Sequence, residues 1–402
     1  MPSPTLRIAF VVQRYGLEVN GGAELCCRWT AEHLSQYAEV DVFTTCAQDY
    51  MVWNNVYPSG DETLNGVLVH RFAVDAPRSP TRFAEITEKT LYQPHSYLDE
   101  LAWMNEQGPI STKLLAEIER RREDFDVFVF FTYLYATTYY GLQLVPDRAM
   151  LVPTAHDEPT LYLPIFRPIF HMPRYMLYLT ETERGLVHTV FQNHGVPSAV
   201  VGSGINVPEA SDEDRFRNKY GIDGDFILYV GRVDASKNVG ELLSYFQRYK
   251  ASANSTVKLL LLGKGPYSVT RQADIIPLGF VSEADKFDAL SACSLLVLPS
   301  RYESLSMVLL EAWLMGKPVL VNGACDVLRQ QCLRSDGGLY YEDYEEFRTA
   351  LDLLMQNPNL RRRMGRKGRA FTLREYSWES VERKYLHAIS EYLGARRGNQ
   401  SR

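Results

Sequence analysis

Pro299-Ser300-Arg301-Tyr302-Glu303-Ser304-Leu305-Ser306-Met307-Val308-Leu309-Leu310-Glu311-Ala312 follows directly on an apolar run, Leu295-Leu296-Val297-Leu298. The run has the length and composition of a buried strand, and the segment after it begins as a loop and continues as a helix. Two glutamates lie eight positions apart within it. Ser304 or Ser306 is placed to cap the helix start, where the first backbone N–H groups have no partner within the helix. Such an end attracts phosphate. Eight helical steps cover about 12 Å, the scale of a sugar diphosphate. On this reading Glu303 lies before the helix and suits hydroxyls of a sugar. Glu311 lies about two turns inside it and suits those of a ribose. Ser304, Leu305 and Ser306 line the diphosphate between them. The spacing alone is better described as two surface glutamates on an amphipathic helix, so the context decides.

That context lies upstream. Phe226-Ile227-Leu228-Tyr229-Val230 reads as a strand, Gly231-Arg232 follows it, and Lys237 comes five residues after Arg232. A helix carrying Leu242, Leu243 and Phe246 begins near there. Two cations at a strand–loop–helix junction suit a diphosphate leaving group.

Together these segments resemble the retaining glycosyltransferases of family 4 (glycosyl transferases group 1), which have the GT-B fold. The resemblance rests on Gly231-Arg232 with Lys237, Gly263-Lys264-Gly265-Pro266, Gly279-Phe280-Val281, and Pro299-Ser300 with Glu303, Glu311-Ala312 and Gly316-Lys317-Pro318-Val319. Gly21-Gly22-Ala23-Glu24 looks like the family's first phosphate-side loop, and His156-Asp157 like its active-site histidine loop. Residues 50–125 align with nothing in the family. The resemblance implies an α/β protein of two Rossmann-like, doubly wound domains facing across a cleft. It implies transfer of a hexose, with retention, from a nucleotide diphosphate sugar (UDP-sugar favoured, GDP-sugar possible) to a sugar hydroxyl of a glycan or lipid-linked acceptor in polysaccharide or glycoconjugate synthesis. No metal or other cofactor is implied; Arg232, Lys237 and the helix end supply the positive charge. The implied catalytic residues are His156, Arg232, Lys237 and Glu303. Donor contacts fall to Gly21, Gly22, Arg232, Lys237, Gly263, Phe280, Val281, Glu303, Ser304, Leu305, Ser306 and Glu311. Phe280-Val281 suits a nucleobase, although Phe280 also fits a core position. His156 fits a positioning role, through its backbone carbonyl, with the leaving phosphate taking the acceptor's proton. Asp157 is placed to hold the histidine or to touch the acceptor. Other GT-B enzymes, such as a nucleotide-sugar epimerase or a phosphorylase, and a non-catalytic glycan-binding protein are the competing classes. The presence of Arg232, Lys237, Glu303 and Glu311 weighs against the last.

The remaining sequence is compatible with this reading. At 402 residues the chain exceeds one core. Apolar runs at Ile8–Val12, Val40–Thr44, Val67–Phe72, Val127–Phe131 and Met150–Pro153 alternate with helical segments and predict a doubly wound sheet. Val200–Pro208, rich in glycine, reads as a linker, dividing an acceptor-side domain over 1–204 from a donor-binding domain over 205–377. The last helix, about 378–402, is expected to pack back onto the first domain, and a ligand site is expected in the cleft. Net charge is −6, so nothing global suggests nucleic acid. The six cysteines lack metal spacing and read as reduced core residues. Met1–Leu6 has no leader-like apolar region and no run reaches membrane-spanning length, which predicts a cytoplasmic chain. Peripheral contact with the inner membrane face has two candidate segments. One is the apolar Leu161–Met172, which reads at least as well as a loop packed on the domain core. The other is the basic Arg361-Arg362-Arg363 with Arg366, Lys367 and Arg369, a run that more commonly forms a solvated face. Tyrosines over 133–140 suit sugar stacking or a domain wall. Asp212-Glu213-Asp214 reads as a solvated helix start and not as a metal motif.

Overall fold

The computed structural model describes residues 6–19, 21–253 and 255–400, with side chains as far as Arg396. The reading of residues 1–5 and the extension of the last helix to 402 lie outside the described residues. The chain divides into two compact units, Met1–Gly204 with Trp378–Arg402, and Ile205–Ser377.

The first unit holds strands β1 (Arg7–Val12), β2 (Glu39–Thr45), β3 (Gly60–Leu64), β4 (Val67–Phe72), β5 (Val127–Phe131), β6 (Ala149–Val152), β7 (Tyr175–Tyr178) and β8 (Ser198–Val200). They form one sheet in the order β3-β4-β2-β1-β5-β6-β7-β8. Every neighbour is parallel except the β3–β4 hairpin. β5 is buried at every position, as a strand covered on both faces requires, which explains its unbroken apolar sequence. β3 is the opposite case. Its residues, Gly-Asp-Glu-Thr-Leu, are almost all exposed. Two local features specify it. Asn65 and Gly66 both have positive φ (49° and 84°) in a two-residue turn that joins Leu64 to its partner Val67; Asn-Gly favours that turn. Across the hairpin, Arg71 Nε donates to Glu62 Oε1 at 2.6 Å and His70 Nδ1 lies 2.7 Å from Asp61 Oδ1.

The stretch with no family counterpart forms helices Pro80–Tyr92, Tyr97–Gln107 and Thr112–Arg120. Ser79, Ser96 and Ser111 accept N–H bonds at their starts. Buried Glu100 binds the backbone N–H of Ile165 at 2.7 Å, tying the second helix to the apolar segment beyond β6. That segment does not offer its apolar side chains outward: Leu161, Ile165, Phe166, Ile169 and Phe170 are in the core, leaving Tyr162 and Met172 exposed. Of the two readings for this segment, the loop packed on the domain core is the one found, because these side chains fill the space between the sheet and its helices. Tyr133 and Tyr139 are likewise buried.

The second unit holds β9 (Phe226–Val230), β10 (Lys258–Leu262), β11 (Ile275–Gly279), β12 (Leu295–Leu298), β13 (Val319–Asn322) and β14 (Gly338–Tyr341), all parallel, in the order β11-β10-β9-β12-β13-β14. The order reverses between β9 and β12. Ligands of such sheets bind beyond the carboxyl ends of the strands at that reversal. Both stretches singled out in the sequence, after β9 and after β12, lie there. Asp212 caps helix Glu213–Tyr220 by accepting from the Arg215 N–H, and Arg215 pairs with Asp288 at 2.5 Å, so this acidic run is a helix start engaged with its neighbours.

Helix Met307–Leu314, which carries Glu311, is braced by the long helix Pro358–Tyr376. Their approach is backbone-close. A Cβ on Gly365 would lie 1.7 Å from the Gly316 carbonyl oxygen, and one on Gly368 would lie 2.3 Å from Trp313 Cδ1. Trp313 Nε1 donates to the Gly337 carbonyl at 2.9 Å. All six cysteines are buried and free. Among the described residues no helix is long and apolar enough to cross a membrane.

Gly365→Ala should therefore destabilise the protein by about 1–3 kcal/mol through overpacking. Gly394→Ala, where an added methyl meets nothing within 4 Å, should be neutral or stabilising by a few tenths to about 1 kcal/mol. Scanning calorimetry of the two variants checks the contrast; equal transitions would contradict the packing argument.

Candidate active site

In the second unit the loops after β9, β10 and β11 are zipped together by backbone. Gly231 N–H donates to Leu262 O at 3.0 Å, Gly263 N–H to Gly279 O at 2.8 Å, and Val233 N–H to Lys264 O at 3.1 Å. Gly263 has φ of +135°, and a Cβ there would lie 1.9 Å from the Gly231 carbonyl oxygen. Glycine is required for both reasons.

Asp234 organises the cations and was passed over in the sequence. Its Oδ1 accepts from Ser236 Oγ at 2.7 Å and from the Lys237 N–H at 2.9 Å. Its Oδ2 lies 3.5 Å from Arg232 Nε, while Arg232 Nη2 donates to Ser236 Oγ at 3.2 Å. Burial works to raise the Asp234 carboxyl. The hydrogen bonds from Ser236 and Lys237, with the charges of Arg232 and Lys237, hold it below the usual carboxylate range. The available signal was an aspartate three residues before a lysine in a turn, the pattern that bonds its own backbone.

Lys237 Nζ then reaches across the reversal to Glu303 Oε1 at 2.6 Å. Asn238, in the left-handed conformation with φ of 56°, donates its side-chain amide to the Pro299 carbonyl at 3.2 Å, and Asn322 does the same at 3.2 Å. Arg232, Lys237 and Glu303 are thus held in two interlocked loops.

The helix start differs from expectation. Ser306 is the N-cap residue of Met307–Leu314, yet it makes no side-chain cap. Its φ of 71° and ψ of 93° lie outside the extended region from which a hydroxyl reaches the first N–H groups. Ser304 and Leu305 are buried in the preceding loop, where Gln331 Nε2 donates to the Leu305 carbonyl at 2.6 Å. Glu303 is outside the helix, and Glu311 is only its fifth residue, little more than one turn in. The expected eight helical steps and two turns are therefore corrected, because the loop runs on to Ser306.

Glu311 is 3% exposed and its Oε1 meets Lys286 Nζ at 2.7 Å. Burial pushes this carboxyl up, opposed by the Lys286 ammonium. Lys286, which also bonds Glu283 at 2.5 Å, carried no motif signal. Phe280, just beyond β11, is 62% exposed, so it is not a core residue; Val281 beside it is half-buried.

The first unit is described separately. Gly21 is the N-cap and Gly22 the first residue of helix Gly22–Leu34. A Cβ on Gly21 would lie 2.0 Å from Glu24 Oε2. Glu24 is buried, ion-paired with Arg14 and hydrogen-bonded by Gln13 Nε2 at 2.8 Å. The need for glycine at Gly21 thus comes from a carboxylate of the chain itself, whereas nothing lies within 4 Å of a Cβ on Gly22.

His156 follows β6 and is partly exposed, its Nδ1 3.6 Å from Glu158 Oε1. Its carbonyl already accepts the Glu158 N–H at 2.8 Å. Asp157 accepts from the Tyr162 hydroxyl at 2.6 Å. The carboxylate beside the histidine is therefore Glu158, and the reading in which Asp157 holds the histidine is corrected: its side chain accepts from Tyr162, five positions on. Burial opposes the charge on Glu158, but hydrogen bonds with His156, Tyr133 and Thr160 bring its carboxyl below the ordinary value. Under this loop lies Glu183, fully buried, accepting the Ala155 N–H at 2.7 Å and the Leu179 N–H at 2.6 Å. Burial pushes its carboxyl up to about 7 despite these bonds. Its only trace in the sequence is the capping pattern Thr180-x-x-Glu183.

Residues 211–371 match the family described as glycosyl transferases group 1. The chain is 30% identical over 180 residues to the alpha-D-kanosaminyltransferase of Streptomyces kanamyceticus, covering 40% of this chain and 44% of that one. The chain spans about half the length of the curated relatives it matches. Sucrose-phosphate synthase from Thermosynechococcus elongatus superposes with a TM-score of 0.72 at 16% identity, over 97% of this chain and all (100%) of that one. Anabaena Alr3699/HepE in complex with UDP and glucose gives 0.70 at 14% identity, over 96% and 100%. The fold is GT-B.

Two outcomes test the electrostatics. Lys286→Met leaves Glu311 buried without its cation and should cost about 3–5 kcal/mol near neutral pH, whereas Lys286→Met/Glu311→Met should recover most of that loss. Denaturant unfolding of the single and double variants reads the difference. For Glu183 the folded pKa is raised. Its contribution is present below the unfolded value and is lost as pH rises through about 7, a swing of about 3 kcal/mol. Glu183→Gln should flatten that part of the stability–pH curve; an unchanged slope would refute the assignment.

Proposed function

We propose that this chain is a retaining glycosyltransferase that moves a hexose from a nucleotide diphosphate sugar to a sugar hydroxyl of a glycan or lipid-linked acceptor. One observation carries the reading. Within a group 1 domain, Arg232, Lys237 and Glu303 converge where the strand order reverses, beside the N-terminus of the helix bearing Glu311. The UDP seen with Anabaena Alr3699/HepE supports a uridine donor.

In this reading Arg232, Lys237 and the first N–H groups of helix Met307–Leu314 hold the diphosphate, and their charge offsets that developing on the leaving group. No divalent cation is required. Glu303, shared between Lys237 and the sugar, orients the hexose. Glu311, fixed by Lys286, takes the ribose hydroxyls, and exposed Phe280 offers its face to the base. The bond from the anomeric carbon to the phosphate oxygen breaks while the acceptor oxygen bonds to the same face of that carbon. The acceptor's proton passes to the departing phosphate oxygen. His156 orients the sugar or the acceptor, its ring steadied by Glu158 and its loop by Glu183.

The two glutamates separate experimentally. Glu311→Gln should weaken binding of free UDP and of the whole donor alike, with the loss mainly in KM. Glu303→Gln should bind free UDP at least as well as the parent, because Lys237 is released, yet lose about 10²–10³-fold in kcat, the scale of a lost transition-state contact. Calorimetric UDP titration and transfer assays in excess chelator decide it. Equal loss of UDP affinity in both variants, or chelator-sensitive activity restored by Mg²⁺, rejects the reading.

A further inference from the structure

Helix Pro358–Tyr376 has two unlike faces. The inner one, with Gly365, Gly368 and Phe371, packs on the helix that carries Glu311. The outer one is cationic. At 100° per residue, Arg369, Arg362, Leu373, Arg366, Ala370 and Arg363 fall in that angular order on one arc of roughly 120°. All six are exposed. Residues 358–374 contain no Asp or Glu, although the chain as a whole carries a net charge of −6.

What distinguishes these arginines is their concentration on one face of one helix. Some arginines elsewhere pair with a carboxylate, as in Arg120–Glu117 at 2.5 Å, Arg184–Glu181 at 2.5 Å and Arg348–Glu345 at 3.1 Å, and others, such as exposed Arg167, Arg174 and Arg271, stand singly without one among the described residues. At one flank of the arc, beyond Arg363, Lys367 pairs with Asp336 at 2.9 Å and Arg374 with Glu375 at 2.8 Å. Arg362, Arg363, Arg366 and Arg369 make no ion pair among the described residues. Four such charges within three turns repel one another, so their concentration is electrostatically unfavourable unless an anionic surface meets them.

We propose that this face docks the protein on an anionic lipid bilayer. A bilayer suits the geometry better than a nucleic acid. The arc is a flat row on a rigid helix, its one large apolar member is Leu373 at 40% exposed, and the helix's aromatic residues Phe371 and Tyr376 are buried, so no ring is offered for base stacking. The arginines meet headgroup phosphates and the leucine enters the interface. This surface belongs to the second unit and is distinct from the apolar segment of the first unit, whose side chains are in the core.

Co-sedimentation of the full chain with vesicles tests it. The parent protein should partition onto phosphatidylcholine vesicles containing phosphatidylglycerol, and not onto phosphatidylcholine alone. Each cation near such a surface contributes a factor of about five. Arg362→Gln/Arg363→Gln/Arg366→Gln/Arg369→Gln should therefore lose at least about tenfold in partition, while its UDP titration and circular dichroism match the parent. Arg248→Gln, on another exposed surface, should partition as the parent does, and added salt should release the bound protein. Equal partition of parent and quadruple variant, equal binding to neutral vesicles, or tighter binding to a DNA duplex at the same salt would overturn the proposal.

Discussion

The tie between the loops after β9 and β12 is the constraint on which the candidate site depends. The two strands are neighbours, but their following helices leave toward opposite faces of the sheet, so the loops diverge at the place where a ligand would sit. Two contacts close the gap, Lys237 to Glu303 and the Asn238 amide on the Pro299 carbonyl, and Asn322 at the end of β13 braces them by donating to that carbonyl and to Glu241 Oε1. Asp234 in turn fixes the lysine's backbone and the neighbouring arginine. Lys237 and Glu303 are thereby held from both sides, so little reorganisation would be needed for an anion to bind beside them.

Behind the loops, the helix with Glu311 has only eight residues and could not hold its position by itself. Its fixity comes from the glycine contact with helix Pro358–Tyr376, the Trp313 anchor on Gly337 and the buried pair Glu311–Lys286. The backbone strain at Ser306 sits between this rigid element and the tied loops, the place where a strained residue persists because its surroundings over-determine it.

What was legible in the sequence follows physical lines. Central parallel strands such as Phe226–Val230 and Val127–Phe131 announce themselves because both faces are buried. Arg232, Lys237, Glu303 and Glu311 were visible because a strand end, a loop and a helix start each demand particular residue types. The misses are of three kinds. β3 has no apolar pattern and exists through its turn and cross-strand pairs. Lys286, Glu158 and Glu183 are defined by partners distant in sequence or by burial, neither of which a linear pattern encodes, whereas Asp234 bonds its own turn and carries only a faint local signal. The helix start was misplaced because Ser306 looks like a cap by composition, and only its φ reveals otherwise.

β3 has one more consequence. It is the outermost strand of the eight-stranded sheet, and its outer backbone groups would pair with any other strand that reached them. Instead the edge carries Asp61 and Glu62, tied down by His70 and Arg71 of the next strand. A second molecule approaching that edge meets a row of carboxylates in place of an apolar ledge. The hairpin thus protects the chain against edge-to-edge aggregation, a form of negative selection written into a strand that adds almost nothing to the core.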